Sequence, residues 1–138
     1  MQDEAEIISI EPVVDLLRSE VADLQVVYLF GSTASGNQGF DSDVDLAFLA
    51  GSKFKPSSYY DLLVKASSVF SQRLDLIELR TASTVLQYQV LESGRVIYES
   101  DPSLTARFEV TVLAMYCALN EERRDLIETI RQQGLIHA

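Results

Sequence analysis

The chain has 138 residues, a length suited to a single domain with one sheet and helices packed over it. A hydrophobic share of 47% excludes disorder as the default, no apolar run reaches the ~20 residues of a membrane-spanning helix, and the acidic start from Met1 to Glu6 lacks the basic-then-apolar pattern of a secretory signal, so a cytoplasmic protein is expected. A net charge of −10 repels phosphate backbones, which argues against autonomous nucleic-acid binding and suits a basic protein partner, although acidity also serves solubility alone.

A first helix is expected to start near Pro12, at the tolerated first-turn position, with Val13, Leu16, Leu17 and Val21 on one face. Gln25 to Phe30 reads as a buried strand, short, apolar and ended by Gly31. Residues 31–40 hold three of the six glycines and read as a loop with one short helical turn. A second strand follows from Ser42 to about Ala50, with Val44, Leu46 and Phe48 on one face. Pro56 opens another helix, whose apolar face is Tyr59, Leu62, Leu63, Ala66 and Phe70. Arg73 to Leu79 forms a third strand, Ser83 to Glu92 a short helix with Gly94 as a left-handed cap, and Arg95 to Tyr98 a last short strand. After Asp101-Pro102, a helix start, Leu104, Phe108, Val112, Met115 and Leu119 recur at helical spacing, and the pattern continues through Leu126 and Ile130. Cys117, the single cysteine, excludes an internal disulfide or a cysteine metal cluster and reads as a buried structural thiol. The alternation of helices and strands gives an α/β class, with residues 1–100 as the core and 101–138 as a C-terminal helical extension.

Asp43 and Asp45 lie two apart in the second strand, so their side chains share one face. Two carboxylates amid apolar neighbours are costly unless a cation neutralises them, and magnesium commonly takes one or two carboxylates together with substrate phosphates. Asp75, mid-strand between Leu74 and Leu76, supplies a third carboxylate if its strand lies beside the second, and it would then assist deprotonation of an attacking hydroxyl. Glu78 faces the other way and is the weaker candidate. Gly31-Ser32, at the end of the first strand, suits a phosphate tail: glycine permits close backbone approach and the Ser32 hydroxyl can donate a hydrogen bond. Each piece alone has a bland reading, as a turn, a solvated pair or an edge charge. Their order, with ten residues between Gly-Ser and Asp-x-Asp and a third Asp on the next strand, favours magnesium-dependent nucleotidyl transfer.

Gly31-Ser32, the ten-residue spacing and Asp43-Val44-Asp45 resemble the signature of the DNA polymerase beta nucleotidyltransferase superfamily. The longer strings at residues 31–36 and 41–46 are similar to the minimal nucleotidyltransferases, the MNT proteins, and the likeness spans residues from about 10 to 100. The resemblance implies a polymerase-beta-like core, a small mixed sheet flanked by helices. It implies magnesium binding and catalysis by Asp43, Asp45 and Asp75, and contact of Gly31 and Ser32 with the nucleotide phosphates. Residues 76–98 are further reminiscent of MNT antitoxins encoded beside HEPN toxins, which implies transfer of AMP from ATP to a hydroxyl, a tyrosine above all, of a cognate HEPN ribonuclease toxin.

So small a chain leaves no lobe to hold an acceptor, which must therefore be a docked protein or a small molecule. Two rival readings remain: an aminoglycoside-type small-molecule nucleotidyltransferase, and an antitoxin that acts by occlusion with its site idle. Arg131 and His137 share a spacing seen in HEPN ribonucleases, but they end a chain whose body reads as α/β, so the spacing is taken as coincidence.

Overall fold

The computed structural model describes residues 2–31, 44–70 and 73–134. Its centre is a run of apolar sequence that burial on both faces demands: Val26, Val27 and Leu29 of β1 (Leu24–Phe30) and Leu46, Ala47 and Phe48 of β2 (Val44–Ala50) are fully buried. The remaining elements are α1 (Gln2–Glu20), α2 (Pro56–Val69), β3 (Leu74–Glu78), α3 (Thr84–Ser93), β4 (Arg95–Glu99) and α4 (Pro102–Gln132). The strand order is β3-β2-β1-β4. β1 runs antiparallel to β2 and β4, whereas β2 and β3 are parallel, so the sheet is mixed.

Alternation along the strands sends two sets of side chains to opposite faces. On one, Val27, Leu29, Leu46, Phe48 and Leu76 meet Val13 and Leu17 of α1 and Leu62 and Ala66 of α2. On the other, Val26, Tyr28, Ala47 and Leu49 meet Val90 of α3, with Phe108 of α4 packed against them. The expected apolar faces of the first two helices are therefore the ones that pack. Ser83 caps α3 by accepting from the Leu86 N–H at 3.1 Å, and Asp101 caps α4 by accepting from the Ser103 N–H at 3.0 Å.

Three expectations are corrected. The first helix begins at Gln2, so Pro12 lies inside it. The conflict of an interior proline is local, about 3 kcal/mol, and half of residues 2–11 (Gln2, Glu4, Ala5, Glu6 and Glu11) are good helix formers, with neither Gly nor Pro among the ten to stop the helix. Gly94 is not a left-handed cap, because its φ of −96° and ψ of 168° are extended. What requires glycine there is space, since a Cβ would stand 2.5 Å from the Val90 carbonyl oxygen and 3.2 Å from that of Leu29. Cys117 is exposed. At about 1.5 Å per residue α4 is far longer than the sheet face it crosses, and its 31 residues bury only Thr105 and Val112. Among the described residues, no helix is long and apolar enough to cross a membrane.

A buried phenol ties α4 to the sheet. Tyr28, 2% exposed, donates its hydroxyl to Glu109 Oε2 at 2.7 Å, and burial together with the Glu109 charge pushes its pKa far up, so it stays a neutral donor. Tyr28→Phe is expected to lower the unfolding free energy by about 1–2 kcal/mol, read from urea midpoints, because a partly buried carboxylate loses its donor. Thr105 supplies the contrast: its buried hydroxyl has no hydrogen-bond partner among the described residues. Thr105→Val should therefore leave stability unchanged or slightly raised in the same titration.

Candidate active site

The sheet brings two of the expected carboxylates together. β3 lies beside β2 in parallel, and the register pairs Asp45 with Asp75 and, on the other side, Asp45 with Phe30. Residues paired across adjoining strands, about 4.8 Å apart, project to the same face. Both carboxylates therefore stand on the face shared with Tyr28 and Ala47, at the end of the sheet where β1 finishes and β2 and β3 begin. Asp45 is half-buried and Asp75 exposed.

Gly31 closes the other side of this corner. It follows Phe30 with φ of +76°, a conformation that an L side chain rarely adopts. A Cβ there would collide with the Asp45 carboxylate, whose Cγ lies 3.1 Å from the position it would take. The glycine thus does two things: it turns the chain out of β1, and it leaves the Asp45 carboxylate its place. Ser32 and Asp43 lie outside the described residues, as does the loop expected over residues 31–40 apart from Gly31.

The donor set fits a hard divalent cation. Two like charges at one register position of neighbouring strands repel, and oxygen ligation by magnesium removes that cost. No group of three His, Cys, Asp or Glu side chains gathers among the described residues, from which Asp43 is absent.

Glu78 is occupied otherwise. Its carboxylate accepts from the Arg80 N–H at 2.8 Å and from the Thr81 N–H and hydroxyl at 3.1 and 2.5 Å, which holds the turn after β3. One residue near the site was assigned only to a helix face by the sequence. Tyr59 of α2 donates its hydroxyl to the Leu76 carbonyl at 2.5 Å, and burial, then the Asp75 charge, hold its phenol above its usual pKa. The tyrosine in an apolar helical face was the only signal, and it does not reveal that the ring reaches the edge of β3 beside Asp75.

A family model described as polymerase beta nucleotidyltransferase matches residues 11–103. The protein adenylyltransferase MntA of Shewanella oneidensis is 36% identical over 120 residues, which cover 86% of this chain and 84% of that protein. Among solved structures, a toxin–antitoxin crystal structure with AMP-PNP superposes with a TM-score of 0.76 at 34% identity, covering 86% of this chain and 95% of the other. The complex of a tri-AMPylated Shewanella oneidensis HEPN toxin with its MNT antitoxin gives a TM-score of 0.75 at 30% identity, over 95% of this chain and 99% of the other.

Proposed function

Because the chain belongs to the polymerase beta nucleotidyltransferase family, and resembles MntA over most of both lengths, we propose that it is an antitoxin that transfers AMP from ATP to a tyrosine hydroxyl of a cognate HEPN toxin. The observation that carries this reading is the pairing of Asp45 with Asp75 beside Gly31, a corner suited to phosphate and cation at once. Gly31 and Ser32 receive the phosphates of ATP at the end of β1. Asp43, Asp45 and Asp75 would hold magnesium, which when bound supplies positive charge over those phosphates. An Asp75 carboxylate oxygen, exposed at the margin of the site, receives the proton of the acceptor hydroxyl as its oxygen bonds to the α-phosphorus. The bond to the β-phosphate breaks and pyrophosphate leaves.

Residues 1–100 carry this chemistry. Residues 101–138 are the C-terminal extension, whose helix α4 (Pro102–Gln132) packs on the same domain and offers its exposed length to the partner in a hetero-oligomer. Leu113, Met115 and Leu126 of α4 are exposed apolar side chains that suit such contact. A cytoplasmic setting, where ATP is abundant, suits this activity.

The test mixes this protein, the HEPN protein, ATP and magnesium and follows intact masses. Addition of AMP to the HEPN protein is expected. With both proteins folded, absence of that mass change sinks the proposal. Full neutralisation of the toxin in cells by the Asp45→Asn variant would instead favour occlusion.

A further inference from the structure

We propose that the outer edge of β3, with the groove beside it between α2 and α3, docks an extended segment of the acceptor protein, an inference that rests on the protein-directed transfer proposed above. β3 is an edge strand of the sheet. Its inward bonds are marked by the Val44 N–H donating to the Arg73 carbonyl at 2.8 Å and the Leu79 N–H donating to the Phe48 carbonyl at 2.9 Å. Alternation then turns the backbone groups of Leu74, Leu76 and Glu78 toward the outer side, where the Leu76 carbonyl accepts from Tyr59.

Edge strands are commonly blunted by charge or cover. Asp75 and the Tyr59 hydroxyl blunt this one in part, but it also opens on a cavity of about 470 Å³ with Phe54, Tyr59 and Tyr60 on one side, Leu86 on the other, and Leu76 and Ile77 between. An added strand therefore shares the Leu76 carbonyl with Tyr59 or displaces its hydroxyl. Tyr60 is 67% exposed, and such a surface is costly to leave in water. The groove is continuous with the proposed chemistry, since Asp75 directly precedes Leu76 and its charge acts on Tyr59.

Strand geometry selects the occupant. A segment added to β3 would lie about 4.8 Å from it, with a residue opposite Asp75 projecting to the carboxylate face. A hydroxyl residue at that point stands beside Asp75. Two residues on, a side chain would lie against Ile77 and Leu86, and the residue between would meet Tyr59 and Tyr60 on the other face. The fitting segment is therefore a hydroxyl residue flanked on one side by apolar ones, after it in a segment parallel to β3 and before it in an antiparallel one, bound by backbone hydrogen bonds and side-chain pockets together. Adenine, the other flat group in the reaction, matches the apolar walls but not the strand-spaced backbone groups.

The experiment compares Tyr60→Ala and Leu86→Lys with the parent protein in AMP transfer to the intact HEPN protein, varying that protein and ATP separately. The KM for the HEPN protein should rise about tenfold, the equivalent of about 1.4 kcal/mol, with kcat at saturation and the KM for ATP unchanged. In the parent protein, the amides of Leu76 and Glu78 should exchange more slowly with solvent when the HEPN protein is bound. A raised KM for ATP would assign the groove to adenine and overturn the proposal. So would unchanged constants together with unprotected amides, which leave the transfer reading standing. Absence of transfer by the parent protein would remove the transfer reading and the groove with it.

Discussion

Asp45→Asn is expected to cut AMP transfer about a thousandfold, the scale on which one preorganised electrostatic group is felt in a transition state. Asparagine keeps the shape and hydrogen-bonding reach of the side chain but removes the charge. Since Asp45 is half-buried and its strand partner is Asp75, the loss falls on the joint capacity of two carboxylates to hold a divalent cation, not on packing. A second readout separates these. Magnesium that binds only the folded protein raises its melting temperature by mass action, and the rise grows with concentration. The parent protein should show that rise. Asp45→Asn and Asp75→Asn should lose most of it while melting as cooperatively as the parent. Undiminished transfer by Asp45→Asn, with the magnesium response intact, would remove Asp45 from the site.

The chemistry was legible before the fold because its residues are marked locally. Apolar runs bounded by turn residues give β1 and β2, and the strand period of two sets Asp45 on the face of Ala47 with no knowledge of its neighbours. The helix starts at Pro56 and after Asp101 were equally local, being matters of capping chemistry and of the φ angle fixed by proline. What could not be read was anything that depends on which strand lies beside which. Asp75 comes to stand beside Asp45 only because β3 pairs in parallel with β2 at the register Asp45–Asp75, and a shift of one residue would have sent it to the other face. The tyrosine at position 59 was hidden for the same reason, since its role is set by the edge it reaches. Cys117 shows a different failure. Residues 112–119 are apolar by composition, but only Val112 is buried: Leu113 and Cys117 are exposed because they point away from its side of the helix, whereas Met115, three residues on and on the same side, is exposed because α4 buries nothing beyond Val112. A run counted as hydrophobic was therefore two faces, and even the face that starts on the core runs past it after Val112.

Gly31→Ala should damage both stability and transfer, and the two effects have separable causes. The φ of +76° costs an L residue about 1–2 kcal/mol in backbone strain alone. The added methyl must also displace the Asp45 carboxylate, whose Cγ would otherwise lie 3.1 Å away. Displacing that side chain moves a carboxylate whose position, on the reading above, determines where phosphate and cation meet. A misplacement of about 1 Å is enough to lower turnover about a hundredfold. Gly134 provides the internal comparison, with a nearly equal φ of +74° and, among the described residues beyond its chain neighbours, no atom within 4 Å of a Cβ built there. Gly134→Ala carries the strain without the collision, and at the last turn of a helix much of that strain can be relieved by fraying. Urea midpoints and transfer rates on both variants distinguish the causes. Gly31→Ala should lose stability and transfer, and Gly134→Ala a little stability and no transfer. Equal transfer by the two variants would mean that backbone strain, not the space kept for Asp45, is what glycine provides at position 31.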